Sequence, residues 1–299
     1  MTGSAIFARG FFSSSSVHIA LAVGALGAIV GAMVGIFTVL RGQSFAGEAL
    51  GDIGTAGGSG AFLLGIGPLW GFLIAGMAAA AVMEMIGIQR ARGRDLATGI
   101  VLGGALGLAA LFLYLTTTST STSGATVTIL FGSAFSTPSS TVPLALVLAA
   151  ICTGLIAALS RPLLLSSVSP ELAAARGIPV RLVGALYLLA LAVAMALSAI
   201  TIGTILSTAL LVGPAATALR LTRSPGRALL AAMSIGVVAI CVGMVLAYDS
   251  FDWPPAGHGW PISFFVVTVI LLLYLISGVP RRVGRRFLSL DDEPAPVTV

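Results

Sequence analysis

The sequence predicts an all-α, polytopic membrane protein with eight or nine transmembrane helices, N-terminus outside and C-terminus cytoplasmic. Three observations carry that prediction. Of 299 residues, 58% are hydrophobic and only 8% are charged, with a mean hydropathy of +1.10. A water-soluble domain of that length needs more polar surface. The apolar residues gather in long runs, and one bilayer-crossing helix takes about 20 of them. The runs are continuous rather than alternating, which excludes a β-barrel.

The runs fall at 17–40, 44–66, 68–88, 95–115, 141–160, 180–200, 203–219, 227–248 and 261–279, with Gly, Pro, Ser, Thr or Arg in the breaks. The first spans 24 residues, beyond the roughly 7–15 of a cleavable leader's apolar core. It is therefore expected to be a spanning helix. Only Thr201 and Ile202 separate the sixth and seventh runs. A tight reversal or a half-crossing fits there, hence eight or nine crossings. The Ser/Thr run 116–123 is expected to be a solvated outer connection, followed by a short interfacial helix at 128–135. The outer loop 249–261 carries Trp253 and Trp260, expected as interfacial anchors. The organisation is an extracytoplasmic segment 1–16, a transmembrane domain 17–280, and a cytoplasmic tail 281–299 that is first basic, then acidic.

Charge sets the sidedness. All 15 basic residues are arginine, and with the runs threaded in order only Arg9 falls opposite the rest. The positive-inside rule then places the arginine-rich connections in the cytoplasm. Arginines scattered in short clusters between apolar runs encode topology, not a nucleic-acid surface, so no nucleic-acid partner is expected. The absence of lysine excludes a P-loop, so this chain cannot bind ATP that way. His18 and His258 are the only histidines, and Cys152 and Cys241 lie in apolar runs as small buried hydrophobes. No enzyme signature is present, and no cofactor is expected on the chain.

Two acids stand out. Glu48 and Asp52 occupy positions i and i+4 of the second run, which share one helix face. A carboxylate inside a membrane costs about 2.5–3.5 kcal/mol, so a pair on one face points to a cation path. The small and weakly polar residues that follow, 53–60, suit a helix facing a cavity. If the helix starts late, both acids lie in the cytoplasmic connection instead. Glu84 is expected to snorkel to the interface or to pair with Arg90 or Arg92, and Asp95 to sit at a helix N-terminus. Gly27, Gly31 and Gly35, and again Gly99, Gly103 and Gly107, have the spacing of close intramolecular helix packing. The stretch 212–227 reads as a short cytoplasmic helix begun by Pro214 and ended at Ser224 and Pro225.

Several segments resemble one family. Ser169-Pro-Glu-Leu-Ala-Ala-Ala-Arg-Gly-Ile-Pro179 resembles the D-P-E-x-A-x-x-x-G element of the metal-type (zinc, manganese, iron) ABC transporter permeases, with Ser169 replacing the acid. The run 203–218, GTILSTALLVGPAATA, is similar to that family's G-x-L-L-V-x-A-L-L-V-x-P-A-A-T-A. Val39 to Leu50 and Asp95 to Leu102 resemble two further elements, and vitamin B12 and siderophore permeases are similar at greater distance. The resemblance implies an ABC importer in the bacterial cytoplasmic membrane. Its parts would be two copies of this permease, a cytoplasmic ATPase dimer that binds ATP, and an extracytoplasmic metal-binding protein. It implies that Pro214, Ala215, Ala216, Thr217, Arg220 and Arg223 couple to the ATPase, and that the cargo is a divalent metal ion. Glu48 falls on the family's Asp, and Asp52 on its His. Four carboxylates in a two-fold dimer, without imidazole, favour Mn²⁺ over Zn²⁺ or Fe²⁺. Asp249, Asp252 and His258 of the last outer loop are expected to dock the binding protein. The competing expectations are a gradient-driven secondary transporter using the same acids, or a permease for a metal chelate such as a siderophore.

Overall fold

The computed structural model describes residue 11 and residues 14–86, 94–119, 124–132, 134–222, 224–253 and 259–278. Every regular element among them is helical. In chain order these are α1 (Ser15–Leu40), α2 (Ser44–Leu63), α3 (Pro68–Ile86), α4 (Arg94–Ser119), α5 (Gly124–Phe131), α6 (Thr141–Val168), α7 (Pro170–Ala175), α8 (Val180–Ile202), α9 (Thr204–Leu221), α10 (Pro225–Asp249) and α11 (Ile262–Gly278). Short 3₁₀ turns lie at Ala134–Ser136 and Ser250–Asp252. The chain is an all-helical polytopic membrane protein.

Among the described residues, 6 helices are long and apolar enough to cross a bilayer: α1, α3, α6, α8, α9 and α10. The apolar part of α4 covers only Leu102–Thr118, and α11 has 17 residues. α2 falls short because six glycines, two acids and three hydroxyl residues dilute its apolar content.

α1 and α8 form the centre. α1 packs against α6, α8, α9 and α10, and α8 packs against α1, α3, α6 and α9. Val34 and Phe37 of α1, Leu50 of α2, and Leu191, Met195 and Leu197 of α8 fill the main core. The triple glycine of α1 is spent inside the molecule. Gly27 faces the backbone of Leu197 and Gly35 faces the backbone of Leu211, so α1 lies close to both α8 and α9. The equivalent stripe of α4 is different: Gly99, Gly103 and Gly107 have no atom within 4 Å of where a Cβ would sit. Among the described residues, the intramolecular packing expected from their spacing is absent.

Four further expectations are corrected. Thr201 and Ile202 belong to α8, and the break falls at Gly203, whose φ of 81° suits only glycine. α8 and α9 then pack together, so the chain reverses tightly. Thr116 to Ser119 continue α4, and Thr116 is fully buried, because threonine returns its hydroxyl to the helix and remains compatible with it. The short helix after it is α5, which begins earlier than expected and is not merely interfacial, since Ile129 is buried and α5 touches α2, α4, α8 and α9. Pro214 does not begin a helix: it lies inside the continuous α9. A proline removes one backbone bond and strains its turn, and here α9 is held on several sides by α1, α10 and α11.

α2 and α3 cross where Gly57 and Gly71 face one another, each backbone occupying the place of the other's missing side chain. Gly71→Ala is therefore expected to lower stability by about 1–3 kcal/mol, seen as a lower Tm in detergent. Gly154→Ala on α6, where no atom lies within 4 Å, is the control expected to leave Tm in place. Equal effects would contradict the close crossing.

Candidate cation path

The site begins at the elbow between α1 and α2. Gly42, at φ 61°, closes α1: its amide donates to the Val39 carbonyl at 3.1 Å, and the Gln43 amide donates to the Thr38 carbonyl at 2.9 Å. This paired closure is a glycine C-cap. α2 starts two residues later at Ser44, so Glu48 and Asp52 are both helical and the late-start alternative is removed.

Arg41 fixes the elbow. Its guanidinium sits 5.0 Å from the centre of the Tyr187 ring on α8 and donates to Ser166 Oγ on α6 at 3.5 Å. The Tyr187 hydroxyl donates to Thr38 Oγ1 at 2.8 Å, and Thr38 donates to the Val34 carbonyl at 3.0 Å. Glu84 of α3 attracts the same guanidinium. One arginine thus ties the α1–α2 elbow to three other helices. Arg90 and Arg92, the partners expected for Glu84, lie outside the described residues, as do the side chains of Arg94 and Asp95. This network was missed on the sequence, where the sole trace is a single tyrosine in the apolar run 180–200.

Glu48 is exposed and Asp52 is half-buried. The two carboxylates repel one another, and among the described residues neither has a hydrogen bond or an ion pair. Glu48 lines an open groove of about 480 Å³. Ser44 and Phe45 of α2, Thr208, Val212, Gly213 and Ala216 of α9, and Ile270, Leu271 and Tyr274 of α11 form its walls. The polar residues beyond Asp52 do not continue this path. Thr55 donates to the Gly51 carbonyl at 3.1 Å and Ser59 to the Thr55 carbonyl at 2.7 Å, both buried. The glycines of this stretch receive α3 and α4 instead: Gly58 meets Phe72, and Gly60 meets Phe112. The cavity expected along 53–60 is a packing face.

The residues assigned to ATPase coupling divide by burial. Pro214, Ala215 and Thr217 are buried inside α9, and Ala216 is half-buried against the Glu48 groove. Arg220 is exposed at the end of α9, with its guanidinium 3.8 Å above the ring of Tyr274. Arg223 lies outside the described residues. Tyr274 joins the groove to this end of α9, a link the sequence does not mark.

At the opposite end, Asp249 closes α10 and is half-buried, while the side chain of Asp252 and all of His258 lie outside the described residues. The loop returns through Ser250, whose Oγ donates to the Ala247 carbonyl at 2.6 Å and accepts from the Trp260 amide at 2.8 Å. Trp253 and Trp260 cluster with Phe264 and Phe265, centroids 5.8–6.1 Å apart.

With this layout in hand, residues 14–278 match the model of the ABC 3 transport family. The chain belongs to the ABC 3 transport family. The resemblance drawn from the 203–218 and 169–179 segments is thereby borne out. The family is one of membrane translocation subunits, which work within larger transport assemblies. A manganese transport system membrane protein, MntC, of Halalkalibacterium halodurans is 30% identical over 294 residues, covering 95% of this chain and 96% of its own. The manganese import system permease protein ScaB of Streptococcus parasanguinis is 29% identical, covering 80% of this chain and 82% of its own. The structure of PsaBC from Streptococcus pneumoniae in complex with a Fab is similar with a TM-score of 0.76 and 26% identity, over 90% of this chain and 92% of that one. An inward-facing ABC transporter assigned to the metal-chelate type shares the fold at a TM-score of 0.70 and 17% identity, over 90% and 87% of the two chains. Family membership and the apolar spans make this a multi-pass protein of the bacterial cytoplasmic membrane.

The elbow network yields a prediction. Tyr187→Leu removes both the ring under Arg41 and the hydroxyl on Thr38, leaving a half-buried charge poorly compensated. Amide exchange at 42–47 is expected to accelerate about tenfold, with Tyr187→Phe, which keeps the ring, close to wild type. Unchanged exchange in the leucine variant would remove Arg41 as the anchor of α2.

Proposed function

We propose that this chain is the permease subunit of an ABC importer that moves Mn²⁺ into the cell, with Glu48 and Asp52 in the ion's path. The observation that carries the reading is the pair of unpartnered carboxylates on one face of α2, with Glu48 open to a groove, in a chain related to permeases named for manganese. Two acids with no counter-charge are costly inside a membrane, and a passing divalent cation offsets that cost. Among the described residues no three His, Cys, Asp or Glu side chains gather in one metal-holding group. A transit site suits this arrangement, because an ion that is conducted must also leave.

The reading extends to an assembly. Two copies face one another across the open side of α2, so that four carboxylates line a shared path and oxygen ligands favour Mn²⁺ over Zn²⁺. ATP is bound and hydrolysed by a separate ATPase dimer at the end of α9, where Arg220 and Leu221 are exposed. A metal-binding protein delivers the ion at the loop following Asp249. The N-terminus is placed outside and the C-terminus in the cytoplasm, with α2, α4 and α11 added to the apolar spans to give eight or nine crossings. Residues 17–280 then form the transmembrane domain, flanked by 1–16 and 281–299.

The test is uptake of Mn²⁺, Zn²⁺ and Fe²⁺ into proteoliposomes holding this chain, with and without the ATPase and the binding protein. Uptake is expected only with ATP and both partners, with Mn²⁺ preferred; uptake by the chain alone would establish a gradient-driven transporter instead. Glu48→Gln and Asp52→Asn are each expected to reduce Mn²⁺ uptake to the level of empty liposomes while the assembly forms normally. Normal uptake in both variants would remove these residues from the path. Arg220→Glu is expected to lower recovery of the ATPase with the permease about tenfold, and undiminished recovery would place the coupling surface elsewhere.

A further inference from the structure

Among the described residues, α6 is the least buried of the six long apolar helices, with only 22% of its apolar window buried. Its exposed face runs through Val147, Ile151, Gly154 and Ala158 to Arg161, the half-buried Leu165 and Val168, a continuous stripe at steps of three and four. At its lower end this stripe enters an open groove of about 800 Å³. Leu164, Leu165 and Val168 of α6 and Ile178 line its apolar part, and Arg161 and Arg176 stand on it.

Arg176 is held there by the backbone. Ser169 Oγ accepts from the Leu172 amide at 3.2 Å to cap α7, doing the work of the acid it replaces. α7 then ends in a paired glycine closure: the Gly177 amide donates to Ala174 at 2.9 Å and the Ile178 amide to Ala173 at 3.1 Å, with Gly177 at φ 76°. The closure presents Arg176 and Ile178 to the end of α6. Both arginines are exposed, and among the described residues neither guanidinium forms a hydrogen bond or an ion pair, even though Glu171 is near in sequence. Val168 is 86% exposed beside them.

We infer that this groove binds an anionic phospholipid, its phosphate held by Arg161 and Arg176 and an acyl chain lying along the α6 stripe. Guanidinium groups grip phosphate through paired donors, and their apolar stems reach along lipid-facing surface to the headgroup level. Basic pockets between helices on the cytoplasmic side suit anionic headgroups. The groove floor continues the lipid-facing face of a spanning helix, which selects a lipid over a soluble partner. The inference stands independently of the transported ion.

The test is native mass spectrometry of the full chain, with its ATPase, released from nanodiscs of phosphatidylethanolamine and phosphatidylglycerol. Wild type is expected to retain phosphatidylglycerol. Arg161→Gln with Arg176→Gln is expected to lower that occupancy roughly tenfold while phosphatidylethanolamine adducts and monodispersity are unchanged. Arg161→Lys with Arg176→Lys, which keeps the charge, is expected to retain more than the glutamine pair. Arg181→Gln, outside the groove, is expected to match wild type. Equal phosphatidylglycerol occupancy in the glutamine pair and wild type would overturn the site. Loss of the ATPase from that pair with lipid occupancy intact would also overturn it, marking a protein contact.

Discussion

In a bilayer, apolar side chains gain little by exchanging lipid for protein, so helices are held by how closely their backbones approach. That constraint organises this molecule. The glycines of α1 bring it against the backbones of α8 and α9, and Gly57 and Gly71 bring α2 against α3. The consequence reaches the carboxylates. Because the far half of α2 is locked to α3 and α4 by small residues, and its near end by Arg41, the intervening turns have one orientation. Glu48 is left open to the groove beside α9 and α11, with Asp52 half-buried one turn farther on.

The same arrangement explains how a charged pair is tolerated. The hydroxyls farther along α2 are neutralised by their own backbone and buried, so the polar content of the helix is divided into a structural half and an exposed half. The exposed half lies beside α9 and α11, whose contact at Arg220 and Tyr274 brings the groove to the end of α9. Packed helices thus connect the end of α9 to the groove beside Glu48.

Much of this was legible in the sequence, for physical reasons. Helical class follows from long apolar runs, and the acid pair follows from its rarity and its spacing. Family kinship followed from the 203–218 segment. Other features depend on partners that a sequence does not display. Pro214 reads as a helix start, and only the neighbours that brace α9 permit it inside. The glycines of α1 and α4 have the same spacing, yet among the described residues one stripe meets two helices and the other meets none. Arg41 reads as a topology marker, and its role at the elbow depends on Tyr187, Ser166 and Glu84, all distant along the chain.

The junction at Gly132 and Gly203 has a mechanical meaning. The two glycines touch backbone to backbone, each at positive φ, and Thr204 Oγ1 donates to the Ile129 carbonyl at 3.4 Å. No side chain stands between them to tilt or swap rotamers. The end of α5 and the turn between α8 and α9 are thus seated directly on one another, so a bulkier residue at either glycine would force these two connections apart.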